Sequence, residues 1–210
     1  MGKEQSFAAA VEPPKQQEGT LTATLYLVRH GSHEDLGARL TGRGAEGGLT
    51  AIGWSEAEQA AEVLRAKPVT AVYASPRQRT IDTARAIARP HGLSVRLAAE
   101  LDEIDFGDWT GKAFAELDGQ PEWDEWNRRR SESRCPRGES MAQAQARAVS
   151  FAFEAAARHD GAVVLVTHCD IIRALICWQQ RCSLDDILRF EAGPASVTEL
   201  TLVARELEPA

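Results

Sequence analysis

The sequence contains no apolar run of transmembrane length and no internal repeat, and its charge balance is acidic. With 24 Lys and Arg against 31 Asp and Glu, the formal net charge is −7. An acidic chain is a poor partner for nucleic acid or an anionic membrane. These absences leave 210 residues, 43% of them hydrophobic, which suit one α/β domain with a sizeable core.

The cysteines and the amino terminus exclude further protein classes. The cysteines are Cys135, Cys169, Cys177 and Cys182. Their spacing is not that of a metal site or a disulfide scaffold, which predicts a protein of the reducing cytoplasm. Residues 1–20 are polar except for Phe7–Val11, a patch too short for the core of a signal peptide. We expect residues 1–20 to be a disordered tail and residues 21–210 to form a single domain.

Strand-like and helix-like segments alternate along that domain. The predicted strands are Thr24–Val28, Val69–Ala74, Ser94–Leu97, Ala162–Thr167 and a last one near Ser196–Val203. The predicted helices are Thr50–Ala66, Pro76–Arg89, Lys112–Leu117, Pro121–Arg130, Glu139–His159 and Asp170–Gln179. This alternation predicts a three-layer α/β/α sandwich with a mostly parallel central sheet. The two short helices before the long one predict a small helical cap, an insert at about residues 111–138.

The most informative stretch is Leu25–Gly31, an apolar run that ends in Arg29, His30 and Gly31. The run is typical of a buried strand, and a glycine directly after it lets the backbone turn sharply. In an open α/β sheet, ligands bind at the carboxyl ends of the strands. A histidine placed there beside an arginine can attack a phosphorus atom whose negative charge the arginine neutralises.

Three further segments supply groups to the same edge of the sheet. The strand that precedes His168 is also apolar, so two parallel strands would bring both imidazoles into one crevice. Ser75 is a plausible helix N-cap and Pro76 suits the first helical turn, an arrangement that would aim Arg79 toward this edge. The glycine-punctuated acidic loop Leu101–Gly111 adds carboxylates.

These segments, in this order, resemble the histidine phosphatase superfamily, which has the phosphoglycerate-mutase-like fold. The resemblance runs from about Thr24 to about Leu202. Four ordered family motifs are matched by Arg29, His30 and Gly31; by Ser75, Arg79 and Thr83; by Leu101, Glu103, Gly107, Trp109 and Gly111; and by His168 with Ile172, Arg173, Ala174 and Leu175. Gly138, Glu139 and Ser140 match the opening of a family helix.

The resemblance implies a phosphohistidine mechanism. His30 would attack a phosphate monoester as a neutral imidazole and hold the phosphoryl group covalently. Arg29 and Arg79 would bind phosphoryl oxygens, with His168 as a further donor. Glu103 would protonate the leaving alkoxide and then accept a proton from water, which requires a pKa raised toward neutrality. Its rivals as the acid are Asp102, Asp105 and Asp108.

The sequence departs from the family pattern near both histidines. His33 and Leu36 stand where relatives usually have Ser or Thr and often Asn, and Cys169 stands where Gly is usual. We include Ser32, His33 and Cys169 among the candidate substrate-binding residues. A loop histidine near the mouth and a packed cysteine are the plainer interpretations. A zinc site is disfavoured because neighbouring arginines would repel a dication, so we expect neither metal nor cofactor.

Substrate choice should depend on the insert between Gly111 and Gly138. We expect the arginines of this insert to form a solvated face, although they could instead form a cationic rim that binds an acidic leaving group. These arginines are Arg128, Arg129, Arg130, Arg134 and Arg137. Trp123 and Trp126 either pack against a ring-bearing substrate or bury the cap helix.

Three functions compete. We favour a phosphomonoesterase that acts on a small phosphorylated metabolite, because the chain has little beyond its last strand to shelter a phosphoenzyme from water. A cofactor-dependent phosphoglycerate mutase is the second candidate. A catalytically silent module that binds phosphorylated ligands is the third, disfavoured by the intact His30, Arg79, Glu103 and His168. The sequence does not identify the phosphate ester that is the substrate, and it does not distinguish a monomer from a homodimer.

Overall fold

The computed structural model describes residues 21–44 and 47–204, so the expected disordered tail lies outside the described residues. The strands are β1 (Leu21–Arg29), β2 (Val69–Ala74), β3 (Val95–Leu97), β4 (Ala162–Thr167) and β5 (Val197–Ala204). The helices are α1 (Ala51–Leu64), α2 (Gln78–Ala88), α3 (Phe114–Leu117), α4 (Pro121–Arg128), α5 (Met141–Ala157) and α6 (Cys169–Gln180). None of these helices is both long and apolar enough to span a bilayer.

The strands form one sheet in the order β3-β2-β4-β1-β5. Strands β1 to β4 pair in parallel, and β5 pairs with β1 in the antiparallel direction at the edge. All six residues of β4 are buried, as expected for a central parallel strand covered on both faces. The prediction of a mostly parallel sheet is therefore confirmed.

Alternate residues of each strand face two separate apolar cores. Leu25 and Leu27 of β1 pack with buried residues of α5 and α6 on one face. Tyr26 and Val28 pack with buried residues of α1 and α2 on the other. Two cores separated by a sheet are the three layers that the alternation predicts.

The start of α2 differs from the predicted boundary in a way that affects the site. The helix begins at Gln78, and its N-cap is Arg77, not Ser75. Ser75 instead extends the sheet, since its N–H donates to the carbonyl of Val166 at 3.0 Å. The predicted N-cap role of Ser75 and the helical position of Pro76 are therefore wrong.

The cap lies over the edge of the sheet where the parallel strands end. Its helix α4 stops at Arg128, two residues earlier than predicted. Trp126 is fully buried, and its ring packs edge-on against Trp109 and Phe106. Of the two interpretations of this tryptophan, the structure favours burial of the cap helix.

Candidate active site

His30 and His168 are lateral neighbours because of the register between their strands. The pairing of β1 with β4 places Arg29 opposite Thr167, so the next residue of each strand lies at the same edge. The backbone N–H of His30 donates to the carbonyl of Thr167 at 3.0 Å, and the two imidazole centroids are 5.3 Å apart. The structure thus forms the crevice expected from two strands that each end in histidine.

A backbone contact fixes the tautomer of His30. Its Nδ1 lies 2.8 Å from the carbonyl oxygen of Gly31, and a carbonyl can only accept, so Nδ1 carries the hydrogen. The lone pair is then on Nε2. Burial, followed by the charge of Arg79, holds the pKa of His30 well below its usual value. His30 is therefore a neutral imidazole with a nucleophilic nitrogen.

Gly31 is required by close packing. A Cβ at this position would overlap the carbonyl of Gly53 in the first turn of α1. The N–H of Gly31 donates to Oγ1 of Thr83 at 3.0 Å, which ties the loop after β1 to α2. The position of His30 thus depends on both α1 and α2.

Arg29 and Arg79 bring two guanidinium groups to the same cavity. Arg29 Nη1 donates to the carbonyl of Ala192 at 2.7 Å, whereas its buried Nε has no acceptor among the described residues. Arg79 is only 2% exposed, and its Nη2 donates to the carbonyl of Gly42 at 2.7 Å. Buried cationic donors beside a nucleophile form a site suited to an anion.

His168 is fully buried and is not among the residues that line the cavity. Its Nδ1 accepts from Arg79 Nη2 at 3.2 Å, and its Nε2 donates to Ser75 Oγ at 2.9 Å. Ser75 Oγ donates in turn to Asp102 at 3.1 Å. Burial, and then Arg79, lower the pKa of His168 well below its usual value. In this arrangement the neutral His168 contacts Arg79, and the direct donor role that the resemblance implies stays a prediction.

Glu103 has the environment of a general acid. Its side chain is 12% exposed, and its Oε2 lies 3.9 Å from His168 Nδ1. The backbone carbonyl of Glu103 accepts from Arg43 and Arg147, which holds the loop in place. Burial, reinforced by the charge of Asp170, raises the pKa of Glu103 to about 7. A carboxyl group with this pKa can both donate and accept a proton near neutral pH.

The three rival carboxylates have other partners. Asp102 accepts from Arg77 through both of its oxygens, at 2.7 to 3.1 Å. Asp108 forms an ion pair with Arg137. Asp105 accepts from the N–H of Gly107 at 3.0 Å. None of the three lines the cavity, whereas Glu103 does.

The cavity has a volume of about 410 Å³ and contains most of the predicted site residues. His33 is part of its wall: the ring is buried, with its centroid 5.2 Å from that of His30. Burial, and then Arg79, lower the pKa of His33 to about 4, so it adds no charge. Cys169 also lines the cavity, and its Sγ donates to the carbonyl of Ala192. Ser32 does not line it, because its hydroxyl and its N–H both donate to Glu56.

Three of the residues that line the cavity form an ion cluster that the sequence analysis did not find. Arg130 Nη1 lies 2.8 Å from one oxygen of Asp170, and Arg173 Nη1 lies 3.3 Å from the other. Arg130 is 5% exposed and faces inward, so the solvated-face interpretation is wrong for this arginine. It holds for Arg128 and Arg129, which are exposed and pair with Glu125. The i, i+3 spacing of Asp170 and Arg173 was the available signal.

Trp123 contributes to the apolar lining of the cavity, together with Leu36, Leu40, Phe106 and Phe114. Within residues 21–44 and 47–204, no group of three or more His, Cys, Asp or Glu side chains is arranged to hold a metal ion. The cavity thus brings together a neutral histidine, two arginine guanidinium groups and one protonatable carboxyl group.

Comparison with known proteins agrees with this geometry. The chain is 34% identical over 188 residues to an acid phosphatase of Mycobacterium tuberculosis, a match that covers 85% of this chain and 86% of that protein. The structure of a mycobacterial glucosyl-3-phosphoglycerate phosphatase superposes with a TM-score of 0.77 and 28% identity, covering 86% of this chain and 90% of that one. A bifunctional protein of M. tuberculosis is 44% identical over 100 residues, although this chain spans only 27% of its length.

The family assignment rests on almost the whole domain. Residues 25–208 match the sequence model of the histidine phosphatase superfamily (branch 1). The order of the matched motifs, the sheet and the placement of both histidines all agree with that match. The chain belongs to branch 1 of the histidine phosphatase superfamily.

Proposed function

We propose that the protein is a phosphomonoesterase that hydrolyses a small phosphorylated metabolite through a phosphohistidine on His30. The observation that carries the proposal is the presence in one cavity of a neutral imidazole, His30, and a carboxyl group with a pKa of about 7, Glu103. The names of its relatives, an acid phosphatase and a glucosyl-3-phosphoglycerate phosphatase, support a hydrolase of phosphate esters.

In the first step, Nε2 of His30 attacks the phosphorus and the ester P–O bond breaks. Glu103 gives its proton to the departing oxygen, so that the product leaves as an alcohol. Arg29 and Arg79 hold the phosphoryl oxygens and offset their charge in the transition state. His168 keeps the Arg79 guanidinium in position by accepting from Nη2.

In the second step, water attacks the phosphohistidine. Glu103, now a carboxylate, takes a proton from that water, and the P–N bond breaks to give inorganic phosphate and neutral His30. The same residue thus serves as acid and then as base, which is efficient only for a pKa near the working pH. Dividing one displacement into two lowers the barrier of each.

The mutase alternative has weaker support. A mutase would return the phosphoryl group to its substrate, whereas the relatives matched over about 85% of this chain are named as phosphatases. We also propose a cytoplasmic location, because the spacing of the four cysteines is not that of a disulfide scaffold.

A panel of phosphate esters, assayed for released phosphate with and without 2,3-bisphosphoglycerate, tests the proposal. We expect hydrolysis that does not need the bisphosphate, no comparable isomerisation of 3-phosphoglycerate, and no turnover by His30→Ala. Rapid isomerisation that depends on the bisphosphate would replace the phosphatase with a mutase. Binding of phosphate esters without turnover would favour the silent module.

A further inference from the structure

The carboxyl end of α6 brings two cysteines into contact. Arg181, the residue after the helix, has a left-handed conformation with φ of 55°, and Cys182 then folds back over the last turn. The N–H of Cys182 donates to the carbonyl of Cys177 at 3.0 Å. This is the Schellman arrangement, in which the side chains of residues five apart at a helix end meet.

Both positions that meet in this motif are occupied by cysteine. The two Sγ atoms are 3.0 Å apart, about 1 Å more than a disulfide bond. Cys177 is fully buried, whereas Cys182 is partly exposed. The other two cysteines differ: Cys169 bonds to the carbonyl of Ala192, and Cys135 is buried. Only a small movement separates the two thiols of the Cys177–Cys182 pair from a covalent bond.

We propose that Cys177 and Cys182 are a redox-active pair that closes to an intramolecular disulfide when a peroxide is present. The thiolate of Cys182, the more accessible of the two, attacks hydrogen peroxide. An S–O bond forms to give a sulfenic acid, the O–O bond breaks, and the hydroxide that leaves takes up the proton that Cys182 had released, which gives the first water. The sulfur of Cys177 then attacks the sulfenic sulfur. The S–S bond forms, the S–O bond breaks, and the hydroxide leaves with the proton of Cys177 as a second water.

The order of these two steps follows from the surroundings of each thiol. Burial raises the pKa of Cys177 to about 12, so this thiol stays protonated until the sulfenic acid is beside it. Its S–H also donates to the carbonyl of Ser183 at 3.4 Å. Overall, two thiols lose two electrons and one peroxide is reduced to two waters, so no further reactant is needed.

The pair lies at the start of a segment that supports the active site. From Cys182 the chain runs through a short 3₁₀ helix, Leu184–Arg189, to Phe190 and Ala192. The carbonyl of Phe190 accepts from Arg173, and that of Ala192 accepts from Arg29. A disulfide would fix the start of this segment to α6. We therefore expect oxidation to raise the melting temperature while leaving turnover in the folded enzyme unchanged.

The test is peroxide treatment of the native full-length protein, followed by thiol counting and peptide mapping without reductant. We expect the thiol count to fall from four to two, the mass to fall by about 2 Da, and one linked peptide pair to contain Cys177 and Cys182. Cys135→Ser should still form that link, whereas Cys182→Ser should not. The melting temperature should rise by a few degrees in wild type and in Cys135→Ser but not in Cys182→Ser, and it should return with dithiothreitol.

Three outcomes would overturn the proposal. One is oxidation of Cys182 to the sulfinic acid with no disulfide, which would show that Cys177 does not reach it. The second is a disulfide between different cysteines. The third is a native protein that keeps four thiols when a denatured control loses them. Because Cys182 is partly exposed, Cys182→Ser should fold, and its circular dichroism spectrum checks this directly.

Discussion

Replacement of Glu103 by glutamine keeps the shape of the side chain and removes its proton. With a pKa of about 7, the protonated fraction of the free enzyme falls to about a tenth at pH 8 and about a hundredth at pH 9. The kcat/KM of wild type for an alkyl phosphate should therefore fall about tenfold per pH unit above neutrality. The depressed pKa of His30 keeps the nucleophile neutral on the acidic side, so the optimum should lie below pH 7.

Glu103→Gln should lose a factor of roughly 10² to 10⁴ in kcat with an alkyl phosphate, the usual worth of general acid catalysis. The loss should be smaller with p-nitrophenyl phosphate, whose leaving group needs little protonation. The alkaline fall in kcat/KM should also disappear. Glu100→Gln is the matched control, because Glu100 is exposed and lies three residues before Glu103, in the 3₁₀ turn Ala99–Leu101; it should behave as wild type.

The assay is a set of steady-state pH profiles with both substrates for wild type and both variants. Equal losses on the two substrates would mean that Glu103 positions the phosphate without protonating the leaving group. An alkaline limb that persists in Glu103→Gln would assign the titration to another group. Either result would refute the acid role.

The remaining predictions concern charge, backbone and metal. Asp170→Asn removes a charge that raises the pKa of Glu103, so the alkaline limb of kcat/KM should move to lower pH; an unmoved limb would contradict this. Gly107 has φ of 53° and a Cβ there would overlap the carbonyl of Pro136, so Gly107→Ala should cost about 2–4 kcal/mol in urea unfolding. Gly111 has φ of 82° but open space around it, so Gly111→Ala should cost only about 1–2 kcal/mol. Chelator-treated enzyme should keep its rate, and stoichiometric zinc whose removal abolishes activity would contradict that expectation.

The features predicted well are those that local sequence determines. Apolar runs that end in His30 and His168 identify adjacent parallel strands, and the structure places both histidines at one edge. The predicted family and the predicted layered fold are also confirmed, because both rest on local sequence patterns. Helix α5 begins after Ser140, whose side chain accepts from the N–H of Gln143, within two residues of the predicted start.

The features predicted poorly depend on partners far away in the sequence. Ser75 looks like an N-cap locally, but its hydroxyl bonds to His168, 93 residues away. Arg130 looks like one of a solvated cluster, but it pairs with Asp170, 40 residues away. Where a side chain has two possible partners, tertiary packing determines which contact forms. The spacing of residues in the sequence does not reveal that packing. Ser32 is a similar case, since its hydroxyl donates to Glu56 and does not face the cavity.

Rapid quench tests the proposed covalent intermediate on His30 directly. After rapid quench with a labelled phosphate ester, wild type should carry acid-labile, base-stable phosphate on His30, identified by peptide mapping. His30→Ala should trap none and lose nearly all turnover, whereas His33→Ala, which lacks the neighbouring imidazole, should still trap it. Substantial activity in His30→Ala, or labelled phosphate on another residue, would contradict the phosphohistidine mechanism.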